Sequence, residues 1–176
     1  IDILCIIPAR SGSKGLPHKN IMDFNGKPLL VWSIEQAQKC KYTMKIVVST
    51  DSQEYGDIAK KYGAEVPFLR PESISQDLST DFECIHHCVS FLKKYQNYEC
   101  DIILHLRPTS PLRKIEDINK ALELFINNRN SYDSLRSVIP LDKSPYKMYQ
   151  IKDNYLNPLF KILNNIDEPY NQARQS

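Results

Sequence analysis

The chain has 176 residues and a net charge of +2, from 23 Lys plus Arg against 21 Asp plus Glu, which makes one domain the default and two the ceiling. With 41% apolar and 25% charged residues, it carries enough apolar surface to offset chain entropy, and no apolar run approaches the ~20 residues of a membrane span. A balance this close to neutrality argues against non-specific nucleic-acid binding, and five scattered cysteines, Cys5, Cys40, Cys84, Cys88 and Cys100, make no disulfide framework.

Neither a secretory signal nor a lipidation motif is visible, so the cytoplasm is the expected compartment. The sequence opens on Ile1 rather than Met and closes on a polar stretch, so the natural protein is expected to continue beyond it.

In chain order, short β-branched runs alternate with amphipathic stretches. That pattern predicts an α/β fold, a mostly parallel sheet with helices on both faces. Ile3 to Ile7 is a continuous apolar run, as expected of a central strand covered on both sides. Residues 8–28 form a long loop, a length that is usually functional. Leu29 to Cys40 reads as a helix and Ile46 to Val48 as the second strand. Asp51 and Glu54 make a capping-box pattern opening a helix that ends at Gly63. Glu65 to Leu69 reads as a third strand. Thr80 and Glu83 form another capping box before a stripe of Phe82, Ile85, Val89 and Leu92. Ile102 to Leu106 is a further strand, and Ile118, Ala121, Leu122 and Phe125 mark the next helix. Ser134 to Ile139 is expected to be a strand. Lys147 to Ile151 with Asp153-Asn154 reads as half of a hairpin. The expected division is an α/β core over 1–140 and the start of a hairpin and dimerisation region over 141–176.

Chemistry concentrates just past the strands, on the edge where open α/β sheets bind ligands. The first segment runs from Pro8 to Asn20. Between Asp2 and Asp23 it carries Arg10, Lys14 and Lys19 and no acid. Gly12 and Gly15 let a ligand approach the backbone, and Ser11 and Ser13 add hydroxyls. Amides and cations together suit a triphosphate and can offset charge on a departing pyrophosphate. Neither the Walker A nor the G-x-G-x-x-G spacing is present, and a solvated basic turn is the plain alternative. The second segment, Arg107 to Arg113, is stiffened by Pro108 and Pro111. Its arginines with Thr109 and Ser110 could grip a carboxylate or phosphate, or it is a rigid connection with Ser110 as an N-cap. In the third, Arg70 to Thr80, Ser79 and Thr80 at a helix start read as caps or as ligand donors. Cys84, His87 and Cys88 tempt a zinc reading, but no fourth ligand is evident, and buried packing is the simpler account.

Taken together, these segments resemble the acylneuraminate cytidylyltransferase family. Its motif A-R-x-x-S-K-G-x-x-x-K-N is matched by Ala9, Arg10, Ser13, Lys14, Gly15, Lys19 and Asn20. Val48 to Asp51, Arg70 with Asp77 to Thr80, and Pro108 to Arg113 follow in order. The resemblance implies a Rossmann-like nucleotidyltransferase fold of the nucleotide-diphospho-sugar transferase type. It implies a reaction of CTP with a nonulosonic acid, giving a CMP-sugar and pyrophosphate, with Mg²⁺ and in a homodimer. By the same likeness Arg10, Lys14 and Lys19 would hold the triphosphate, and Asn20, Arg70 and Ser79 would contact the nucleotide. The loop bearing Arg107, Thr109 and Ser110 would face the sugar acid. Arg174 resembles a family arginine near the active site. Two departures stand out. Arg107 replaces the usual Gln, which makes a sugar 1-phosphate acceptor thinkable. The acidic D-x-D metal motif, expected C-terminal to all these segments, is missing, which fits a truncated chain or an inert nucleotide-binding module.

Overall fold

The apolar run ILCIIP has no polar face, so it can only be stable sandwiched inside a sheet. In the computed structural model, which describes residues 1–140 and 148–158, it forms β1 (Ile3–Pro8) at the centre of a three-stranded parallel sheet. β2 (Lys45–Ser49) lies on one side and β3 (Ile102–His105) on the other. Ile6 stands opposite Val47 in one neighbour and His105 in the other.

Alternation along β1 sorts its side chains onto two helical layers. Ile3, Cys5 and Ile7 pack with Leu30 and Ile34 of α1 (Leu29–Gln38), Tyr55 and Ala59 of α2 (Gln53–Lys61), and Ile118 and Leu122 of α4 (Ile115–Asn128). Leu4 and Ile6, with Val47, face Cys84, Cys88 and Leu92 of α3 (Asp81–Gln96). Each fully buried aliphatic contributes about 1.5–3 kcal/mol. Burial raises the Cys5 and Cys88 thiols, Cys88 to about 12, so both stay protonated and pack as small hydrophobes.

Several expectations are corrected. Glu65 to Leu69 is not a strand. Glu65 makes a single parallel bridge to Val47, and the next ladder position fails because Pro67 has no N–H to give. The segment rejoins β2 only at Arg70, whose N–H donates to the Thr50 carbonyl at 2.7 Å. Ser134 to Ile139 is not a strand either; its residues are exposed and pair with nothing among the described residues. The cap of α2 is Ser52, which accepts from the Tyr55 N–H, and not Asp51. α4 is capped at Lys114, so Ser110 is no cap. Phe82 is exposed, and the buried line on α3 is Cys84, Cys88 and Leu92. The Thr80–Glu83 capping box forms as read, and its bonds from Thr80 hold the Glu83 carboxyl below its ordinary range.

The described chain divides into two compact units, 1–133 and 134–176. Within the second, β4 (Tyr149–Lys152) and β5 (Tyr155–Pro158) pair antiparallel. Asp153 and Asn154 both take positive φ, which a two-residue turn between right-twisted strands requires. No helix among the described residues is long and apolar enough to cross a membrane.

Candidate functional site

The loop after β1 leaves the sheet at Ala9, which is buried in the core with its N–H on the Ser49 carbonyl at 2.9 Å. From there the chain needs an anchor, and Asp51 supplies it. One carboxylate oxygen accepts from the Ser11 N–H at 2.8 Å and the other from its hydroxyl at 3.0 Å. Asp51 is therefore free of capping duty because it holds the loop. A second anchor is Asn20, 5% exposed, whose amide donates to the Arg10 carbonyl at 2.9 Å. Asp51→Ala is expected to lower stability by about 1.5–3 kcal/mol, the worth of hydrogen bonds to a charged group. Denaturant unfolding checks this, and an unchanged midpoint would mean that the loop keeps its shape unaided.

So pinned, the loop borders two adjoining clefts. The larger, about 740 Å³, is lined by Ser13, Lys14, Gly15, Lys19 and Asn20 of this loop, by Arg70, Ser79 and Thr80, and by Arg107 and Thr109. The smaller, about 520 Å³, is lined by Gly12, Asp51 and Asp77 among others. Arg10, Lys14 and Arg70 border both. Most of the residues singled out in the sequence thus converge on one region. Ala9, Ser11 and Ser110 line neither cleft, and Arg174 lies outside the described residues.

Five cations, Arg10, Lys14, Lys19, Arg70 and Arg107, line the two clefts against four carboxylates, Asp51, Glu72, Asp77 and Asp81. Asp77 accepts from Arg10 Nη1 at 2.8 Å and pairs with Lys14 Nζ. The Lys14 bond, then the Arg10 bond, holds its carboxyl below the usual range, so it is ionised near neutrality. Ser79 accepts from the Gln76 N–H at 2.9 Å and closes the turn that presents Asp77. Arg70 differs from the other cations. It is 6% exposed, donates through Nε to the Ser75 hydroxyl at 3.1 Å, and leaves Nη2 buried with no partner among the described residues. A buried guanidinium with an unused donor is costly to leave unmatched. A carbonyl or an anion that reached Nη2 would match that donor.

At the far end of the larger cleft, Arg107 is ion-paired with Asp81, a residue the sequence reading missed. The Arg107 carbonyl accepts from Arg113 Nη2. Arg113 also donates to Gln36 Oε1 at 2.8 Å, and Gln36 Nε2 donates to the carbonyls of Pro111 at 2.6 Å and Arg113 at 3.1 Å. The loop is thereby strapped to α1.

Metal chemistry finds no home among the described residues. No group of three or more His, Cys, Asp or Glu could hold an ion, and Asp51 and Asp77 are committed to Ser11 and to the two cations. A Mg²⁺ ion here would have to draw most of its ligands from substrate phosphates and water.

Comparison with known proteins follows the same lines. Residues 4–174 match the sequence profile of a family described as cytidylyltransferase. The chain is 42% identical over 145 residues to the CMP-N,N'-diacetyllegionaminic acid synthase of Legionella pneumophila, covering 81% of this chain and 60% of that protein. It is 39% identical over 153 residues to the N-acylneuraminate cytidylyltransferase of Escherichia coli O18:K1:H7, covering 87% and 35%. The fold is shared with a CMP:2-keto-3-deoxy-manno-octonic acid synthetase complexed with CTP, at a TM-score of 0.60 and 22% identity, over 73% of this chain and 49% of the other. The chain thus spans between about a third and three fifths of the length of these curated relatives.

Proposed function

The chain belongs to the cytidylyltransferase family, and on that premise we propose that the protein transfers CMP from CTP to a sialic-acid-like nonulosonic acid, releasing pyrophosphate. The anomeric hydroxyl of the sugar acid attacks the α-phosphorus. The bond from that phosphorus to the bridging oxygen breaks, its electrons leave with pyrophosphate, and the hydroxyl proton passes to water or a phosphate oxygen. The work left to the protein is positioning and charge balance. Arg10, Lys14 and Lys19 hold the polyphosphate. Asn20, Arg70 and Ser79 sit where the rest of the nucleotide would lie. Arg107 and Thr109 border the acceptor end.

The observation that carries the reading is Arg70: a buried guanidinium, with one donor unmatched among the described residues, on the wall of the same cleft as the loop cations. The names of the relatives, which act on different nonulosonic acids, support the acceptor class. Mg²⁺ would enter as a partner of the substrate's phosphates, whose oxygens and water are its preferred ligands. We extend the proposal to a homodimer, for which the second unit offers a hairpin with Ile151, Tyr155 and Leu156 exposed, and to the cytoplasm, where CTP is available.

The test is pyrophosphate release from CTP with a panel of 2-keto sugar acids and sugar 1-phosphates. Release with a nonulosonic acid is expected. Release only with a sugar 1-phosphate would reassign the acceptor, and CTP binding without any release would leave a nucleotide-binding module.

A further inference from the structure

Asp77 stands where a ligand's charge belongs. Its two oxygens take one cation each, Arg10 at 2.8 Å and Lys14 beside it, the arrangement a phosphate would make. Lys14 is 85% exposed and has no other ion-pair partner among the described residues, so its placement over the cleft depends on this carboxylate.

The segment carrying Asp77 keeps its shape without those ion pairs. A short helical turn, Glu72–Ile74, precedes it. The Gln76 side chain donates to the Glu72 carbonyl at 3.0 Å, Ser79 accepts from the Gln76 N–H, and the Thr80 capping box follows. Parting Asp77 from its cations therefore costs the loop little.

An ionised carboxylate only accepts hydrogen bonds. It cannot share Arg10 and Lys14 with a phosphate by bonding to that phosphate, and it repels one. Resting on the nucleotide reading of the site, we propose that Asp77 is an affinity-setting residue: an internal anion that holds the Arg10–Lys14 site in the free protein and must be displaced by the incoming polyphosphate. Every anionic ligand is weakened by the fraction of molecules in which the site is closed. Asp77 thus acts on the nucleotide by competing with its phosphates.

Calorimetric titration of the full chain with inorganic pyrophosphate tests this. Asp77→Asn and Asp77→Ala are expected to bind roughly three- to tenfold more tightly than the parent. Glu72→Gln serves as the control for charge alone, since Glu72 borders the smaller cleft; a clearly smaller gain there supports displacement. Unchanged or weaker binding in the Asp77 variants, or an equal gain in Glu72→Gln, overturns the proposal. A parent chain that binds neither pyrophosphate nor CTP would instead bring down the functional reading, and this inference with it.

Discussion

Arg70→Met is expected to raise thermal stability while stripping the protein of most of its nucleotide affinity. The two effects share one cause. Arg70 is 6% exposed, and among the described residues its one side-chain bond is Nε to Ser75 at 3.1 Å, with Nη2 left unmatched. Removing such a charge relieves desolvation that the fold does not repay, a gain of about 1–2 kcal/mol when an apolar side chain fills the space. Ser75 still donates to the Pro71 carbonyl at 2.9 Å, and the Arg70 backbone bond to Thr50 is untouched, so the loop keeps its frame. What disappears is the guanidinium that borders both clefts. A hydrogen bond of this charged kind is worth about 1.5–3 kcal/mol, so CTP affinity should fall roughly 10- to 150-fold. Thermal melts with and without CTP read both effects together. A lower melting temperature with unchanged CTP binding would make Arg70 a structural residue.

Lys14→Ala is the complementary case. The side chain is 85% exposed and pairs only with Asp77 among the described ion pairs, so it does little for the fold. Its loss should leave the melting temperature where it was and weaken CTP about tenfold or more. Isothermal titration decides the matter, and unchanged affinity would return the segment to a solvated basic turn. Because Lys14 and Asp77 touch, the gain from Asp77→Asn should shrink in the Lys14→Ala background, a coupling that a double-mutant cycle isolates.

The sequence made the framework legible where one force dominated. The run Ile3 to Ile7 could only be a central strand, and the Thr80–Glu83 spacing named its own cap. Asp153-Asn154 announced the turn of the hairpin. The site cations were legible because a run of positive charge without acids in a near-neutral chain has few structural uses. The failures came where two local solutions compete. Asp51 and Ser52 are both good caps, and only the loop 40 residues earlier, asking for an acceptor at Ser11, decides between them. Glu65 to Leu69 has strand-like composition, but Pro67 withholds the donor the ladder needs. Asp77 was legible as a candidate and its pairing with Arg10 was not, because charge pairing across 67 positions is invisible without coordinates. The Arg107–Asp81 pair is hidden for the same reason.

The strap from Gln36 and Arg113 holds the backbone of residues 107–113 by its carbonyls, and Thr109, Ser110 and Leu112 remain exposed. Those three side chains can be exchanged without loosening the scaffold beneath them. Of the three, Thr109 lines the larger cleft, so under the proposed function that position gives a lineage room to retune the acceptor without disturbing the backbone beneath it.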